Sequence, residues 1–219
     1  MNSPILQLLV LAGIAIFLVL RLRSVLGTRE GFEKPPAQSS PTTRRDGPEL
    51  EVIEGGPDLD ITDHVPDGSD SALALADMKR AEPGFGVSDF LSGARGAYEM
   101  ILMGFERGEI EDLRPFLGED VFETFEAVVE QRAEQGLTIE AEFVGVREMT
   151  LTEATFDPET RRGEVTVKYV GELTSVVKDD TGQVIEGSAT AVKKQKDTWT
   201  YARIMGSDNP NWQLVATDE

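Results

Sequence analysis

The spacing of apolar residues changes at Gly136, and this change limits the folds that are open to the chain. Before Gly136, apolar residues recur at every third or fourth position, as they do on one face of an α-helix. After Gly136 they recur at every second position, as on a strand with one buried face. Helices followed by consecutive antiparallel strands predict an α+β domain with its helices on one face of the sheet.

Several helices are predicted before Gly136. Residues 71–79 favour a helix by intrinsic propensity. Ser88 is the predicted N-cap of a helix that runs to about Arg107, a short helix covers residues 110–113, and another runs from about residue 120 to a C-cap at Gly136. The two long helices each have one apolar face, formed by Phe90, Ala94, Tyr98, Ile101 and Phe105 in the first and by Phe122, Phe125 and Val129 in the second.

The second half of the chain predicts a sheet of long strands. A first strand covers residues 138–156, with a bulge or bend at 144–147, and residues 157–163 form a hairpin loop. A second strand covers 165–177, and further strands cover about 185–193 and 198–204. Residues 208–211 are predicted as a turn that docks the C-terminal tail. A long, bent strand would curve the sheet around the helices and leave an apolar pocket on the concave face.

The N-terminal residues predict a single membrane anchor within residues 1–26. Between residues 5 and 20 the one polar side chain is Gln7. Such a helix spans about 24 Å, against a hydrocarbon core of about 30 Å, and flanking arginines can reach the headgroups. A cleaved signal peptide is the alternative, but it needs basic residues before the apolar run, and here they follow it. Arginines after the span place the rest of the chain in the cytoplasm. The predicted anchor residues are Ile5, Leu8, Leu9, Ile14, Ile16, Phe17, Leu20, Arg21 and Arg23.

Residues 27–70 predict a disordered, acidic linker between this anchor and a folded domain at 71–219. The stretch is rich in proline and glycine, and its apolar residues show no period. Such a composition buries too little surface to offset the entropy of ordering. Its aspartates lack the spacing of a calcium-binding loop.

Composition excludes several functional classes. The chain has no cysteine and one histidine, His64, so we predict no disulfide, no thiolate chemistry, no metal site and no cofactor. The net charge of −19 argues against nucleic-acid binding, which needs a basic surface.

The chain also resembles a known family. From Phe90 it reads F-L-x-G-A-R-x-A-Y-E, and near its end come Trp-Thr-Tyr-Ala-Arg at 199–203 and Asn-Pro-Asn-Trp at 209–212. These motifs resemble the C-terminal domain of the Tim44 family over roughly residues 75–219. The resemblance implies a nuclear-transport-factor-two-like curved sheet with an apolar pocket. It also implies a role in protein translocation or assembly at an inner membrane, which is bacterial for relatives that carry an anchor, a linker and this domain.

The family resemblance suggests partners as well. Helices that open the family domain are associated with acidic phospholipid surfaces, which makes Leu73, Leu75, Met78, Lys79 and Arg80 a possible membrane-facing helix here. The expected partners are membrane or translocating proteins and, as a further option, phospholipid. The oligomeric state stays open.

Three functional hypotheses follow from the sequence. The first is a membrane-tethered binding platform, the second a binder of lipid or a small apolar ligand, and the third an enzyme that combines an acid such as Glu99 with tyrosine donors. We expect binding rather than catalysis, because residues 71–219 contain neither histidine nor cysteine. The candidate pocket or core residues are Phe90, Tyr98, Ile101, Phe105, Phe122, Phe125, Tyr169, Trp199, Tyr201 and Trp212. Buried packing is the alternative role for both tryptophans.

Overall fold

The computed structural model describes residues 56–218. Within them, helices come first and a four-stranded antiparallel sheet of order β1-β2-β3-β4 follows, so the α+β prediction is confirmed. The helices are α1 (Leu59–Thr62), α2 (Asp70–Ala81), α3 (Val87–Arg107), α4 (Ile110–Leu113) and α5 (Glu119–Glu134), with a 3-10 turn at Arg114–Phe116. The strands are β1 (Thr138–Asp157), β2 (Arg162–Lys178), β3 (Val184–Ile204) and β4 (Gln213–Asp218).

Helix α3 is the central element of the core, and it packs on the inner face of the sheet against β1, β2 and β3. Its buried residues include Phe90, Ala94, Tyr98 and Ile101, which is the apolar face that the spacing predicts. The helix ends at Gly108, whose φ of 77° is left-handed and therefore favours glycine. It begins at Val87, with Gly86 rather than the predicted Ser88 at the N-cap position. This difference arises because a distant carboxylate, described below, satisfies the first amides of the helix.

The inner face of β2 alternates as predicted, with Val165, Val167, Tyr169 and Leu173 buried. The pairing of β1 with β2 shifts register between Phe143 and Gly145, between Val146 and Glu148, and again near Leu151. The first two shifts confirm the bulge predicted at 144–147. Each bulge adds local twist to the strand pair.

The structure corrects the prediction for the last strands. Residues 184–204 form one strand, not two, and residues 213–218 add β4, which pairs with Thr198–Ala202 of β3. The predicted break falls in a lysine-rich stretch, where the alternation of apolar residues is lost. Ladder hydrogen bonds join backbone groups, so Lys194 and Lys196 still pair with Glu172 and Val170 of β2.

The structure also corrects the predicted extent of the linker. Residues 58–65 form α1 and a turn, and Ile61 and Val65 are only 4% and 5% exposed. Residues 58–65 therefore belong to the folded domain, although they precede the predicted boundary at 71. Two apolar side chains anchor this segment, too few to produce a period in the sequence.

The predicted anchor and the rest of the predicted linker lie outside the described residues. Between residues 56 and 218, no helix combines the length and the apolar character needed to cross a membrane.

Candidate functional site

A cleft of about 320 Å³ opens beside the N-terminal half of α3. The loop between α2 and α3, the end of β3 and the segment before β4 form its other sides. This volume is at the lower end of the range for ligand pockets, which starts at about 300 Å³. Aromatic rings line much of the cleft, small residues give it room, and a few charged groups stand at its edge. The lining includes Phe85, Phe90, Phe116, Tyr201 and Trp212, the small residues Gly84, Gly86, Gly93, Ala94 and Ala97, and the charged residues Glu82, Asp89 and Arg203.

The aromatic rings of the cleft pack against one another edge to face. The ring of Phe90 lies 4.7 Å from that of Trp212 at 60°, and 5.9 Å from that of Tyr201 at 79°. Phe85 also contacts Trp212, with ring centroids 5.8 Å apart. Phe85, Phe90 and Tyr201 are buried, whereas Trp212 is half-buried and offers part of its ring to the cleft. The cleft therefore has a fixed aromatic wall with one accessible indole.

Arg203 holds three parts of the chain together at the cleft. Its Nη2 lies 2.5 Å from Glu82 Oε1, at the end of α2, and its Nη1 donates to the carbonyl of Pro210 at 3.2 Å. Its guanidinium carbon is 5.3 Å from the centre of the Trp212 ring, a cation–π distance. Its Nε is buried and has no hydrogen-bond partner among the described residues.

Glu82 stays ionised at this junction. Burial raises the pKa of its carboxyl, but the hydrogen bond from the Gly206 amide (2.6 Å) and the contact with Arg203 outweigh burial and hold the pKa below its usual value. Glu82 and Arg203 thus neutralise each other. Asp89 differs, because it is exposed and forms no ion pair within residues 56–218. The uncompensated charge at the cleft is therefore negative.

A second polar group lies deeper, beneath the middle of α3. Tyr98 donates its hydroxyl hydrogen to Asp197 Oδ2 at 2.5 Å, and Gln195 donates to Asp197 Oδ1 at 3.1 Å. The ring of Tyr98 stacks on that of Tyr169 at 4.3 Å, and the hydroxyls of Tyr169 and Tyr201 are 3.1 Å apart. We call Tyr98, Tyr169, Tyr201 and Asp197 the tyrosine network. Burial is the first cause that raises the pKa of all three phenols, and the hydrogen bond to Asp197 adds to it for Tyr98.

The helix-covered face of the sheet, predicted to carry the pocket, is filled by this network together with Trp199, whose ring is 4.7 Å from that of Tyr98. Open space remains beside the N-terminal half of α3, where glycines and other small residues replace large side chains. The polar groups of the network satisfy one another inside a packed core.

A family model described as the Tim44-like domain matches residues 71–219. The chain belongs to the Tim44-like domain family. In general terms, this membership connects the chain with membrane-associated protein translocation or complex assembly. No curated protein sequence matches the chain. One solved structure that it matches is the intermembrane space region of the chloroplast protein ARC6, at 16% identity and a TM-score of 0.35, over 50% of this chain and 75% of that one.

The motifs that suggested the Tim44-like family meet at the cleft. Tyr201 and Arg203 of β3 line the cleft, and Trp212, which follows the turn at Pro210, lines it as well, whereas Trp199 packs deeper against Tyr98. Phe90 and Trp212 are the predicted pocket residues that line the cleft together with Tyr201. The structure thus joins both ends of the family domain in one site.

Other candidate residues lie in the packing of the Tim44-like domain, away from the cleft lining. The rings of Phe105 and Phe125 are 4.5 Å apart, and the guanidinium of Arg132 lies 4.3 Å above Phe105. Phe122 is buried beneath Arg114, and Ile101 is buried on α3. Glu99 is exposed on α3 and does not join the tyrosine network, so the acid proposed for catalysis is separated from the tyrosine donors.

The possible membrane-facing helix is α2, and most of its proposed apolar residues point inward. Leu75 and Met78 are fully buried, whereas Leu73 is 57% exposed. Lys79 pairs with Asp58 and Asp60, and Arg80 pairs with Asp77. The predicted contact surface is therefore reduced to Leu73 and Arg80, because the apolar face of α2 packs on the sheet, where Met78 reaches Gly163 of β2.

Several site residues were missed by sequence reasoning, namely Glu82, Phe85, Asp89 and Asp197. Glu82 and Arg203, like Tyr98 and Asp197, are far apart in the sequence and belong to no local motif. A signal existed only for Phe85, which stands as a lone aromatic residue between glycines in a predicted loop.

Proposed function

We propose that the Tim44-like domain of this chain binds polypeptide segments at the cytoplasmic face of a bacterial inner membrane, where residues 5–20 tether it. The observation that carries the proposal is the cleft beside α3, with its packed aromatic wall, its half-buried Trp212 and its unpaired Asp89. Such a cleft suits one large apolar side chain and its flanking backbone.

Charge suggests which polypeptides the cleft prefers. The ion pair of Glu82 and Arg203 is neutral, so the free carboxylate of Asp89 decides the sign of the local charge. The whole chain carries −19. A segment with an apolar side chain next to a lysine or arginine fits both features, because opposite charge raises the rate of encounter and fixes orientation.

The proposed tether supports binding in a second way. A domain held at the membrane meets membrane-bound clients at a raised effective concentration, so modest affinity at the cleft suffices. The acidic surface is repelled by an anionic leaflet, which makes lipid headgroups weaker partners than proteins.

A second candidate function has one observation in its favour. The buried Nε of Arg203 has no partner within residues 56–218, and an acceptor on a small apolar ligand or a lipid would satisfy it. For catalysis we find less support, since the tyrosine hydroxyls bond to groups inside the core rather than facing the cleft as donors.

Photocrosslinking in living cells tests the proposal. A photoreactive amino acid replaces Asn211, which lines the cleft, and the matched control carries it at Glu130, which is exposed on α5. Protein adducts that form from position 211 and not from position 130 are expected, and mass spectrometry identifies them. Adducts with lipid alone at position 211 favour the second candidate. Equal protein adducts from both positions, or none from 211, contradict the proposal.

A further inference from the structure

Residues 58–65 connect the upstream chain to the domain, and we call this segment the clasp. It precedes the part that the family model matches, which begins at residue 71. Two apolar side chains, Ile61 and Val65, bury themselves in the core. Its polar residues Asp58, Asp60 and His64 contact α2 and α3. The clasp thus lies before the matched residues and is fastened to them at several defined points.

Asp60 of the clasp caps the central helix of the domain. Its Oδ2 accepts from the Val87 amide at 2.8 Å, and its Oδ1 accepts from the Ser88 amide at 2.9 Å. The N-cap position of α3 is Gly86, which has no side chain and provides no cap of its own. A carboxylate at this position also interacts favourably with the positive end of the helix dipole. The start of α3, a helix of 21 residues, therefore depends on a residue that lies outside it.

The same carboxylate fastens the clasp to α2. Lys79 Nζ lies 2.8 Å from Asp60 and 2.7 Å from Asp58. Near the other end of the clasp, His64 Nε2 lies 3.2 Å from the hydroxyl oxygen of Ser88. Hydrogen bonds from Lys79, Val87 and Ser88 lower the pKa of Asp60 despite its burial, so it remains charged at neutral pH. The clasp thus bridges the last turn of α2 and the first turn of α3.

The loop between those two turns builds one side of the cleft. Glu82, Phe85 and Gly86 lie on this loop, and Asp89 and Phe90 follow directly after the amides that Asp60 holds. The position of the cleft wall is therefore set from both sides by groups that the clasp contacts. The clasp therefore contacts both ends of the loop directly, through Lys79 on one side and the Val87 and Ser88 amides on the other.

We propose that residues 58–65 act as a releasable clasp that keeps the cleft in its binding geometry, and that it couples the chain upstream of Asp58 to the occupancy of the cleft. Asp58, the first residue of the clasp, contacts Lys79 of α2. Control of binding by the clasp rests on the proposed function of the cleft. The effect of the clasp on the loop that forms the cleft wall can be measured without any ligand.

Hydrogen exchange of the full chain in lipid nanodiscs tests the coupling. The variant Asp60→Ala removes the cap and the ion pair, and Asp63→Ala is the matched control, because Asp63 is exposed on the same segment. In Asp60→Ala, the amides of residues 84–90 should exchange about tenfold faster, as expected for the loss of a helix N-cap. Tryptophan emission should shift, and the substitution Trp212→Phe should abolish that shift. Asp63→Ala should match the wild type.

A conservative variant distinguishes a specific effect of the Asp60 contacts from a general loss of packing. Asp60→Asn removes the charge and keeps one acceptor oxygen, so it can hold one of the two amides that Asp60 caps. Exchange at residues 84–90 should then fall between the wild type and Asp60→Ala, while residues 58–65 exchange faster than in the wild type. Uniformly faster exchange over all helices in Asp60→Ala, or unchanged exchange at 84–90, overturns the proposal.

The crosslinking assay distinguishes this inference from the proposed function. If Asp60→Ala loosens residues 84–90 and protein adducts from position 211 decrease, both stand. If the adducts persist unchanged in Asp60→Ala, the clasp does not control the cleft, although the cleft still binds. If wild-type position 211 yields no protein adducts, the proposed function fails while the exchange result still decides the structural coupling.

Discussion

Raising the pH above 10 should unfold the domain rather than ionise its tyrosines one at a time. All three tyrosines of the chain belong to the tyrosine network, and Tyr98, Tyr169 and Tyr201 are at most 2% exposed. Burial raises the pKa of each phenol above its ordinary value of 10.0. A group whose pKa is raised by folding stabilises the fold fully below its unfolded pKa. That stabilisation is lost as the pH rises from the unfolded towards the folded pKa.

The size of the effect follows from the number of phenols. Above pH 10, each tyrosine that ionises only in the unfolded chain lowers the free energy of unfolding by about 1.4 kcal/mol per pH unit. Three together lower it by about 4 kcal/mol per unit. Domains are typically stable by roughly 5–15 kcal/mol, so unfolding should fall within about one to four pH units above 10. Lys79 acts in the same direction, since burial lowers its pKa but the contacts with Asp58 and Asp60 raise it more.

Two spectroscopic signals decide the outcome. Near-ultraviolet absorbance reports tyrosinate, and far-ultraviolet circular dichroism reports the fold. The two transitions should coincide, with all three phenols ionising together, whereas in concentrated urea the same phenols should titrate near pH 10. Gradual ionisation of one or more tyrosines with intact circular dichroism would show that water reaches the network, and it would refute this reasoning.

Three further predictions concern the core and the topology. Tyr98→Phe leaves the buried Asp197 with one donor, so it should cost about 1–3 kcal/mol in urea unfolding. Tyr201→Phe removes a neutral hydrogen bond and should cost about 1 kcal/mol, so an equal cost for the two variants contradicts the importance of Asp197. Gly171→Ala should lower the melting temperature, because the added Cβ would lie 2.5 Å from the Tyr98 hydroxyl oxygen. Gly96→Ala should raise the melting temperature, because that position on α3 has open space and alanine favours a helix. Alkaline phosphatase fused after the last residue should be inactive, and periplasmic activity would reverse the proposed topology.

Local rules account for most of the elements. The change of period at Gly136 marks the passage from α5 to β1, and Gly136 itself has a φ of 67°, as a glycine after a helix C-cap does. The apolar face of α3 and the alternation of β2 depend on neighbours within a few residues, so both are readable from the sequence. The bulge in β1 is readable for the same reason, since it disturbs the alternation where it occurs.

The cleft and the clasp depend on contacts that no local pattern records. Asp60 caps α3 from a separate segment. Glu82 and Arg203 form an ion pair although most of the domain's sequence lies between them. A single carboxylate produces no repeating pattern in the sequence, and its partner can be any hydrogen-bond donor that the fold brings near. β4 was not predicted for a related reason. Its backbone hydrogen-bond partners belong to β3, and its six residues include too few buried side chains to show an alternating pattern.

The sequence by itself determined the α+β class, the order of the long helices and strands, and the membership of the family, because apolar spacing and short motifs act over a few residues. The tertiary structure decided where open space remains, which charges are paired, and that residues 58–65 pack on the domain. These properties depend on the sum of packing around each side chain. Tyr98 and Trp212 show the difference, since both are aromatic candidates in the sequence, yet one is sealed inside a hydrogen-bonded core and the other faces a cleft.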